Sequence, residues 1–107
     1  MIVVVFEVTM KPDQGPRYFD LAAGLRPELE KIDGFLSVER FESLSTPGKY
    51  VSISFWRDAA AVEAWRRNAA HGTAQALGKS EVFADFRISV AEVLRRYTLA
   101  DGVAGGS

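Results

Sequence analysis

The chain has 107 residues, of which 48% are hydrophobic, so it holds enough apolar material for one packed core and is too short for two ordinary domains. The 13 Lys and Arg residues against 14 Asp and Glu residues give a formal net charge of -1, which argues against a dedicated nucleic-acid binder. The chain contains no cysteine, which excludes disulfides, thiolate nucleophiles and iron–sulfur clusters.

Metal and membrane functions also have little support in the sequence. His71 is the single histidine, so a site built from two or three imidazoles would need residues of a partner subunit, and we predict no metal site. The apolar run in residues 1–11 is too short to span a bilayer and has no basic segment before it. We therefore expect neither a membrane helix nor a secretion signal, and we expect a cytoplasmic protein.

The first third of the chain predicts a strand and a helix. Residues 2–8 are β-branched or aromatic at nearly every position, which is typical of a strand that is covered on both faces. Asp13 is the predicted cap of a helix, because apolar residues recur at spacings of three and four over residues 18–32. Pro27 lies inside that pattern and predicts a kink or break at residues 24–26.

A hairpin and a second helix follow. Residues 35–42 and 50–56 read as strands, and the turn residues 45–49 between them predict a hairpin. Asp58 is the predicted cap of the second helix, which we expect to break at residues 71–72.

The last strand is predicted over residues 83–99, with a bulge at 90–91 where the apolar positions change parity. The order strand, helix, strand, strand, helix, strand predicts an α+β ferredoxin-like βαββαβ sandwich. We expect a single domain over residues 1–99 and a flexible tail over residues 100–107.

The sheet has more apolar surface than its helices can cover. Two helices shield one face, yet the first, third and fourth strands carry bulky apolar side chains on both faces. A soluble monomer rarely exposes such a patch. We therefore predict a homodimer in which the sheets pair face to face and the long last strand reaches across to the partner.

His71 is the first candidate for chemistry, because the pKa of an unperturbed histidine lies near neutral pH. Asn68, three positions earlier, could hydrogen-bond to His71 or to a ligand. The alternative is that His71 ends a helix and bonds only to backbone or water.

Four residues on the third strand and the second helix could form a pocket. Ser52 and Ser54 share a strand face with Trp56, where a tight core would favour Val or Ile. Trp65 on the helix could close the wall of a pocket for a flat aromatic ligand. The alternative is that both tryptophans only fill the core.

The arginines of the last strand are weaker evidence for a ligand site than the serines and tryptophans. Arg87, Arg95 and Arg96 are expected to pair with acids at the dimer edge or, alternatively, with a ligand carboxylate or phenolate. The tail glycines are not followed by a helix, so they form no phosphate loop, and the nucleophile-elbow motif of hydrolases is absent.

Several segments together have a pattern typical of a known family: DGFLSVERFES at 33–43, YVSISFWRD at 50–58, a helix containing Trp65 followed by His71, and RISVAEVLRRY at 87–97. In these segments the chain resembles the antibiotic biosynthesis monooxygenase family over nearly its whole length. The resemblance implies a dimeric α+β barrel in which each protomer holds a pocket between its sheet and its helices.

The resemblance to the quinone-forming members implies a monooxygenase that oxidises a small phenolic or polyketide-like substrate with molecular oxygen and without a metal, flavin or other bound cofactor. Trp56 falls where those enzymes have a pocket tryptophan, and Ser52 stands where they have an asparagine. Phe41 stands where some members have a histidine. The hypothesis assigns catalysis to His71, Trp56 and Asn68, and substrate contacts to Ser52, Ser54, Trp65 and Phe41.

Two alternatives remain open. Another branch of the family degrades haem with a first-strand asparagine, a helix tryptophan and a proximal histidine. Trp65 matches that tryptophan and His71 could be the single axial ligand, while the first strand offers Glu7 and Thr9 in place of the asparagine. The second alternative is a dimeric domain that binds a ligand in the same cavity without catalysis.

Overall fold

The computed structural model describes residues 1–101, apart from the side-chain surroundings at positions 69–71, 75, 78 and 80. The regular elements are β1 (Ile2–Met10), α1 (Gly15–Glu30), β2 (Phe35–Glu42), β3 (Lys49–Trp56), α2 (Ala59–Arg66), α3 (Ala69–Leu77) and β4 (Phe83–Glu92). A π-helical turn at Gly78–Val82 precedes β4, and a 3-10 turn occupies Leu99–Asp101.

The strands form one sheet in the order β2-β3-β1-β4, with every neighbouring pair antiparallel. This confirms the predicted α+β ferredoxin-like fold. Successive residues of each strand point to opposite faces, so the register defines an inner face toward the helices and an outer face away from them. The inner face carries Ile2, Val4, Phe6 and Val8 of β1, Ser52, Ser54 and Trp56 of β3, and Val38 and Arg40 of β2.

The buried residues between helices and sheet fall into two separate clusters rather than one. One cluster contains Val8, Met10, Tyr18 and Val82. The other contains Leu29, Trp56 and Ala61. A small domain usually has one contiguous core, so this division indicates that the space between the clusters is incompletely filled.

The first helix differs from the prediction at both of its irregular points. Its N-cap is Gln14 rather than Asp13, which lies in the preceding turn with a φ of 64°. The helix also continues through Pro27 without a break. Pro27 is close to the end of α1, so few helical hydrogen bonds follow it, and burial of Leu29 against the second cluster stabilises the last turn.

The second helix begins as predicted but ends earlier. The Asp58 carboxylate accepts a hydrogen bond of 3.0 Å from the Ala61 N–H, which confirms Asp58 as the cap. The break lies at residues 67–68, and α3 runs through positions 71–72, where a break was predicted. Backbone hydrogen bonds of Asn68 explain the position of the break. Its N–H donates to the Trp65 carbonyl at 3.0 Å and so closes α2, and its carbonyl accepts from the Gly72 N–H at 2.9 Å in the first turn of α3.

The last strand is shorter than predicted. It ends at Glu92, opposite Ile2, because β1 has only Met1 left beyond that point to pair with. The register is uninterrupted at residues 90–91, so the predicted bulge is wrong, and the irregularity lies instead at Thr9/Met10. The predicted tail lies outside the described residues from position 102 onward.

The outer face of the sheet has no part in either buried cluster. It carries Val3 and Val5 of β1, Val51, Ile53 and Phe55 of β3, and Phe41 of β2. The Arg96 guanidinium lies over the Phe55 ring, with its Cζ 4.1 Å from the ring centroid. The homodimer that would cover this face remains a prediction.

The outer face also carries an ion cluster that joins three strands. Glu7 accepts hydrogen bonds of 2.6 and 2.8 Å from the Arg87 guanidinium, and the Lys49 ammonium lies 3.4 Å from the same carboxylate. These contacts lower the pKa of Glu7 to about 2, with the Arg87 hydrogen bond as the main cause. Arg87 therefore pairs with an acid of its own chain.

This cluster predicts a specific acid sensitivity. The folded-state pKa of Glu7 lies below its ordinary value of 4.5, so its stabilising contribution is fully present above that pH and is lost as the pH falls toward about 2. In urea unfolding, the stability difference between wild type and Glu7→Gln should shrink across that interval and diminish with salt. Glu39→Gln, on the same face, is the control and should show no such trend. A difference that is as large at pH 2 as at neutral pH would contradict the assignment.

Candidate functional site

A cavity of about 590 Å³ lies between the helices and the inner face of the sheet, bordered by members of both buried clusters. This volume is in the range of sites for small organic ligands. Its walls are mainly apolar, with Val4, Phe6, Leu21, Leu25, Leu29, Val38, Val62 and Phe83 among the residues that form them. The incompletely filled core thus has the size and character of a binding site.

Four of the predicted site residues line this one cavity: Ser52, Ser54, Trp56 and Trp65. The hairpin explains the first three, because residues at spacings of two along β3 share its inner face. Trp65 enters from α2, whose start is fixed by the Asp58 cap. The structure therefore brings the predicted serine–tryptophan group together.

Trp56 belongs to both the core and the cavity wall. It is 2% exposed, and its ring meets that of Phe35 edge-on at a centroid distance of 5.3 Å. Its indole N–H donates to the Ser54 hydroxyl at 2.9 Å. Because that donor is already used, Trp56 contributes packing surface to a ligand rather than a hydrogen bond.

The two serines differ in their hydrogen bonding. Ser54 is 8% exposed and accepts from Trp56, so its own O–H can still donate toward the cavity. The Ser52 hydroxyl has no side-chain partner within residues 1–101 as described. Together they supply hydroxyl donors to an otherwise apolar wall.

The other predicted site residues lie elsewhere or outside the description. Phe41 is 46% exposed and pairs with Val51 on the outer face, on the opposite side of the sheet from the cavity. Asn68 lies at the junction of α2 and α3 and is not among the residues that line the cavity. The backbone of His71 lies in α3, but its side chain is outside the described part of the structure.

Sequence reasoning missed two polar residues of the cavity, Arg40 and Tyr18. Arg40 lies on the inner face of β2 directly opposite Ser52. Its Nε donates to the Tyr18 hydroxyl at 3.2 Å, and its Cζ lies 5.2 Å from the centroid of the Tyr18 ring. The signal was available in the hairpin, because the pairing that places Ser52 inward also places Arg40 inward.

The charge of the cavity wall has one sign. Three arginines line it, Arg26, Arg40 and Arg66, and the part of the wall that the structure describes contains no Asp or Glu. Arg26 pairs with Glu30 and Arg66 pairs with Glu63, so among the described residues Arg40 is the cation of this lining without an acidic partner, and it favours an anionic ligand.

An ion cluster next to the cavity fixes the junction between β3 and α2. Arg57 donates to both carboxylate oxygens of Asp33 at 3.1 Å and to Asp58 at 3.0 Å. The hydrogen bonds from Arg57 lower the pKa of Asp33, and the pKa of Asp58 is lowered mainly by the Ala61 N–H. The backbone N–H of Arg57 also donates to the backbone carbonyl of Gly34 at 2.7 Å. These contacts hold the chain immediately after Trp56.

Metal ligands and membrane-spanning helices are not found among the described residues. In that part of the chain, no three His, Asp or Glu side chains are grouped as metal ligands. Within the same residues, no helix combines the length and apolar character needed to cross a membrane.

Comparison with known proteins agrees with the fold. The chain belongs to the antibiotic biosynthesis monooxygenase family, whose family model matches residues 1–77. Its fold is similar to the crystal structure of an antibiotic biosynthesis monooxygenase, with a TM-score of 0.75 and 19% identity, covering 88% of this chain and 99% of that one. It is also similar to the structure of Rv0793 from Mycobacterium tuberculosis, with a TM-score of 0.80 and 18% identity, covering 91% of this chain and 98% of that one.

Among curated proteins, the chain is similar to the jasmonate monooxygenase of Pyricularia oryzae (strain 70-15). The two are 43% identical over 93 residues, which is 87% of this chain and 43% of that protein. The chain therefore spans less than half the length of this relative.

Proposed function

We propose that this protein is a monooxygenase that oxidises a small, largely apolar molecule with molecular oxygen inside the cavity and without a bound cofactor. The observation that carries the proposal is the apolar cavity of about 590 Å³ with a wall charged by arginines alone among the described residues. Membership in a monooxygenase family and the relative that acts on jasmonate support it. Phenolic and polyketide-like rings are the first substrate class, and jasmonate-like molecules are the second.

The chemistry follows from the properties of an electron-rich substrate. In an anthrone-like phenolic substrate, loss of a proton from the activated CH₂ group gives an anion that can itself reduce oxygen. One oxygen atom becomes the carbonyl oxygen of the product, and the other leaves as water with the two hydrogens of that carbon. The protein must stabilise the anion and keep bulk water away from it; hydroxyl donors serve the first requirement and apolar walls serve the second.

Individual residues have distinct parts in this proposal. The hydroxyls of Ser52 and Ser54 donate hydrogen bonds to the oxygen on which negative charge develops. Trp56 and Trp65 hold the apolar body of the substrate. His71 is the proposed acceptor of the proton.

The test is oxygen uptake with hydroxylated anthrones, quinols and jasmonate. Wild type is expected to consume one oxygen per product with at least one of these compounds. Ser52→Val should lower kcat/KM by at least roughly tenfold because it removes an oxyanion donor. Ser89→Val, the same substitution on the outer face of β4, is the control and should leave kcat/KM unchanged.

Two outcomes would overturn the proposal. One is the absence of oxygen uptake with every compound of the panel. The other is a Soret shift on addition of haemin that is lost in His71→Ala, because this would identify haem as the occupant of the cavity.

A further inference from the structure

We infer that the substrate carries a carboxylate away from the carbon that reacts, and that Arg40 is the residue that selects for this group. The inference rests on the proposed function in one respect, that the cavity is the substrate site. It narrows the proposed substrates to apolar carboxylic acids, the class to which jasmonate belongs, and adds the residue that determines specificity.

The geometry holds the Arg40 guanidinium ready for a planar anion. The hydrogen bond from Nε to the Tyr18 hydroxyl and the stacking over the Tyr18 ring restrain its orientation. Tyr18 is 6% exposed and belongs to a buried cluster, so Arg40 is supported by a side chain that is itself packed in the core. Nη1 and Nη2 have no hydrogen-bond partner in the part of the chain that the structure describes, which leaves a two-pronged donor.

The charge balance separates Arg40 from the other arginines of the wall. Arg26 pairs with Glu30 at 2.7 Å, and Arg66 pairs with Glu63 at 3.4 Å. Arg40 makes no ion pair with any described acid, including Glu42 two positions further along the same strand face. Arg40 lines the apolar cavity and is also exposed, so its guanidinium is a cation without an acidic partner among the described residues that an entering ligand can reach, and a carboxylate matches its fork geometry.

The position of Arg40 also sets the direction of the ligand. Arg40 lies opposite Ser52, and Trp56 lies four residues further along β3, roughly 13 Å away at the rise of an antiparallel strand. A carboxylate at Arg40 therefore places an apolar body of about 10 Å along the wall that Ser54, Trp56 and Trp65 form. The reacting carbon then lies along this wall between Ser52 and Trp56, away from the carboxylate end.

Binding of acid–ester pairs tests this assignment. The probes are jasmonate and 1-naphthoate, each compared with its methyl ester, which has the same body without the charge. Quenching of tryptophan fluorescence reports binding, because Trp56 and Trp65 line the cavity. Wild type should bind at least one acid roughly tenfold more tightly than its ester. This is the gain expected from a charged hydrogen bond between a guanidinium and a carboxylate that is partly open to solvent.

Two variants isolate the contribution of Arg40. Arg40→Gln should abolish the preference for acid over ester and leave the affinity for the ester unchanged. Arg66→Gln removes a cation of the same wall that is already ion-paired, so it is the matched control and should retain the preference. Far-UV circular dichroism should show both variants folded, although Arg40→Gln loses the hydrogen bond to the Tyr18 hydroxyl and should unfold at a slightly lower urea concentration than wild type.

The outcomes separate this inference from the proposed function. Equal binding of acid and ester by wild type, binding of neither, or a preference that survives Arg40→Gln would overturn the role of Arg40. Arg40-dependent selection of acids by a protein that consumes no oxygen would support the inference and contradict the monooxygenase. Oxygen uptake without discrimination between acid and ester would support the monooxygenase and contradict the role of Arg40.

Discussion

Replacing Trp56 with alanine is expected to lower the free energy of unfolding by about 3–5 kcal/mol, the range for large aromatic side chains removed from a core. Trp56 is 2% exposed, packs edge-on against Phe35, and shares a buried cluster with Leu29 and Ala61. Its removal would also leave the Ser54 hydroxyl without its partner in a largely buried position.

Urea unfolding followed by far-UV circular dichroism measures this effect. Trp65→Ala is the control, because Trp65 also lines the cavity but is only partly buried, and its loss should cost less. Trp56→Phe keeps an aromatic ring in place and should fall between wild type and Trp56→Ala. If Trp56→Ala unfolds no more easily than Trp65→Ala, the cluster around Trp56 does not carry the stability that its burial indicates.

The dual position of Trp56 changes how its variants should be interpreted. The sequence allowed either core packing or a pocket wall, and the structure shows that the same side chain forms both. A loss of activity in Trp56→Ala would therefore combine a larger cavity with a less stable fold. The Ser52 and Arg40 variants are more informative about function, because neither side chain belongs to a buried cluster.

The parts of the site on the β2–β3 hairpin were predictable because a strand has a period of two. Once Trp56 is inward, Ser54 and Ser52 must be inward as well, and the structure places them so. The same rule places Phe41 outward, since it pairs with Val51 rather than with a serine. Phe41 was proposed from family position alone, and the strand parity contradicts its place at the cavity.

Other features depend on contacts between elements that are distant in the sequence. The Arg40–Tyr18 contact joins β2 to α1 across 22 positions, and neither residue type signals the other locally. The end of β4 depends on where β1 begins, and the continuity of α1 past Pro27 depends on burial of Leu29. The secondary-structure propensities of individual residues do not predict such tertiary effects.

Gly34 connects the ion cluster at the β3–α2 junction to the turn between α1 and β2. Its φ is +93°, a region that residues with a Cβ adopt only at a cost. A Cβ at this position would lie 2.8 Å from the Ala61 Cβ and 3.3 Å from the Arg57 Cζ. The Arg57 side chain can move, but Ala61 is 3% exposed in the first turn of α2, so the helix itself would have to shift.

Gly34→Ala is therefore expected to lower the free energy of unfolding by about 2–4 kcal/mol, the sum of backbone strain and overpacking. Gly24→Ala is the matched control, because Gly24 lies inside α1 and a methyl group added there would meet no atom within 4 Å. That substitution should instead raise stability by about 0.5–1 kcal/mol through better helix propensity. Opposite shifts in urea unfolding would show that the close approach of α2 at Gly34 sets the position of the helix that carries Trp65 to the cavity. If both variants unfold as wild type does, α2 adjusts freely, and the cavity wall it forms is not fixed by this contact.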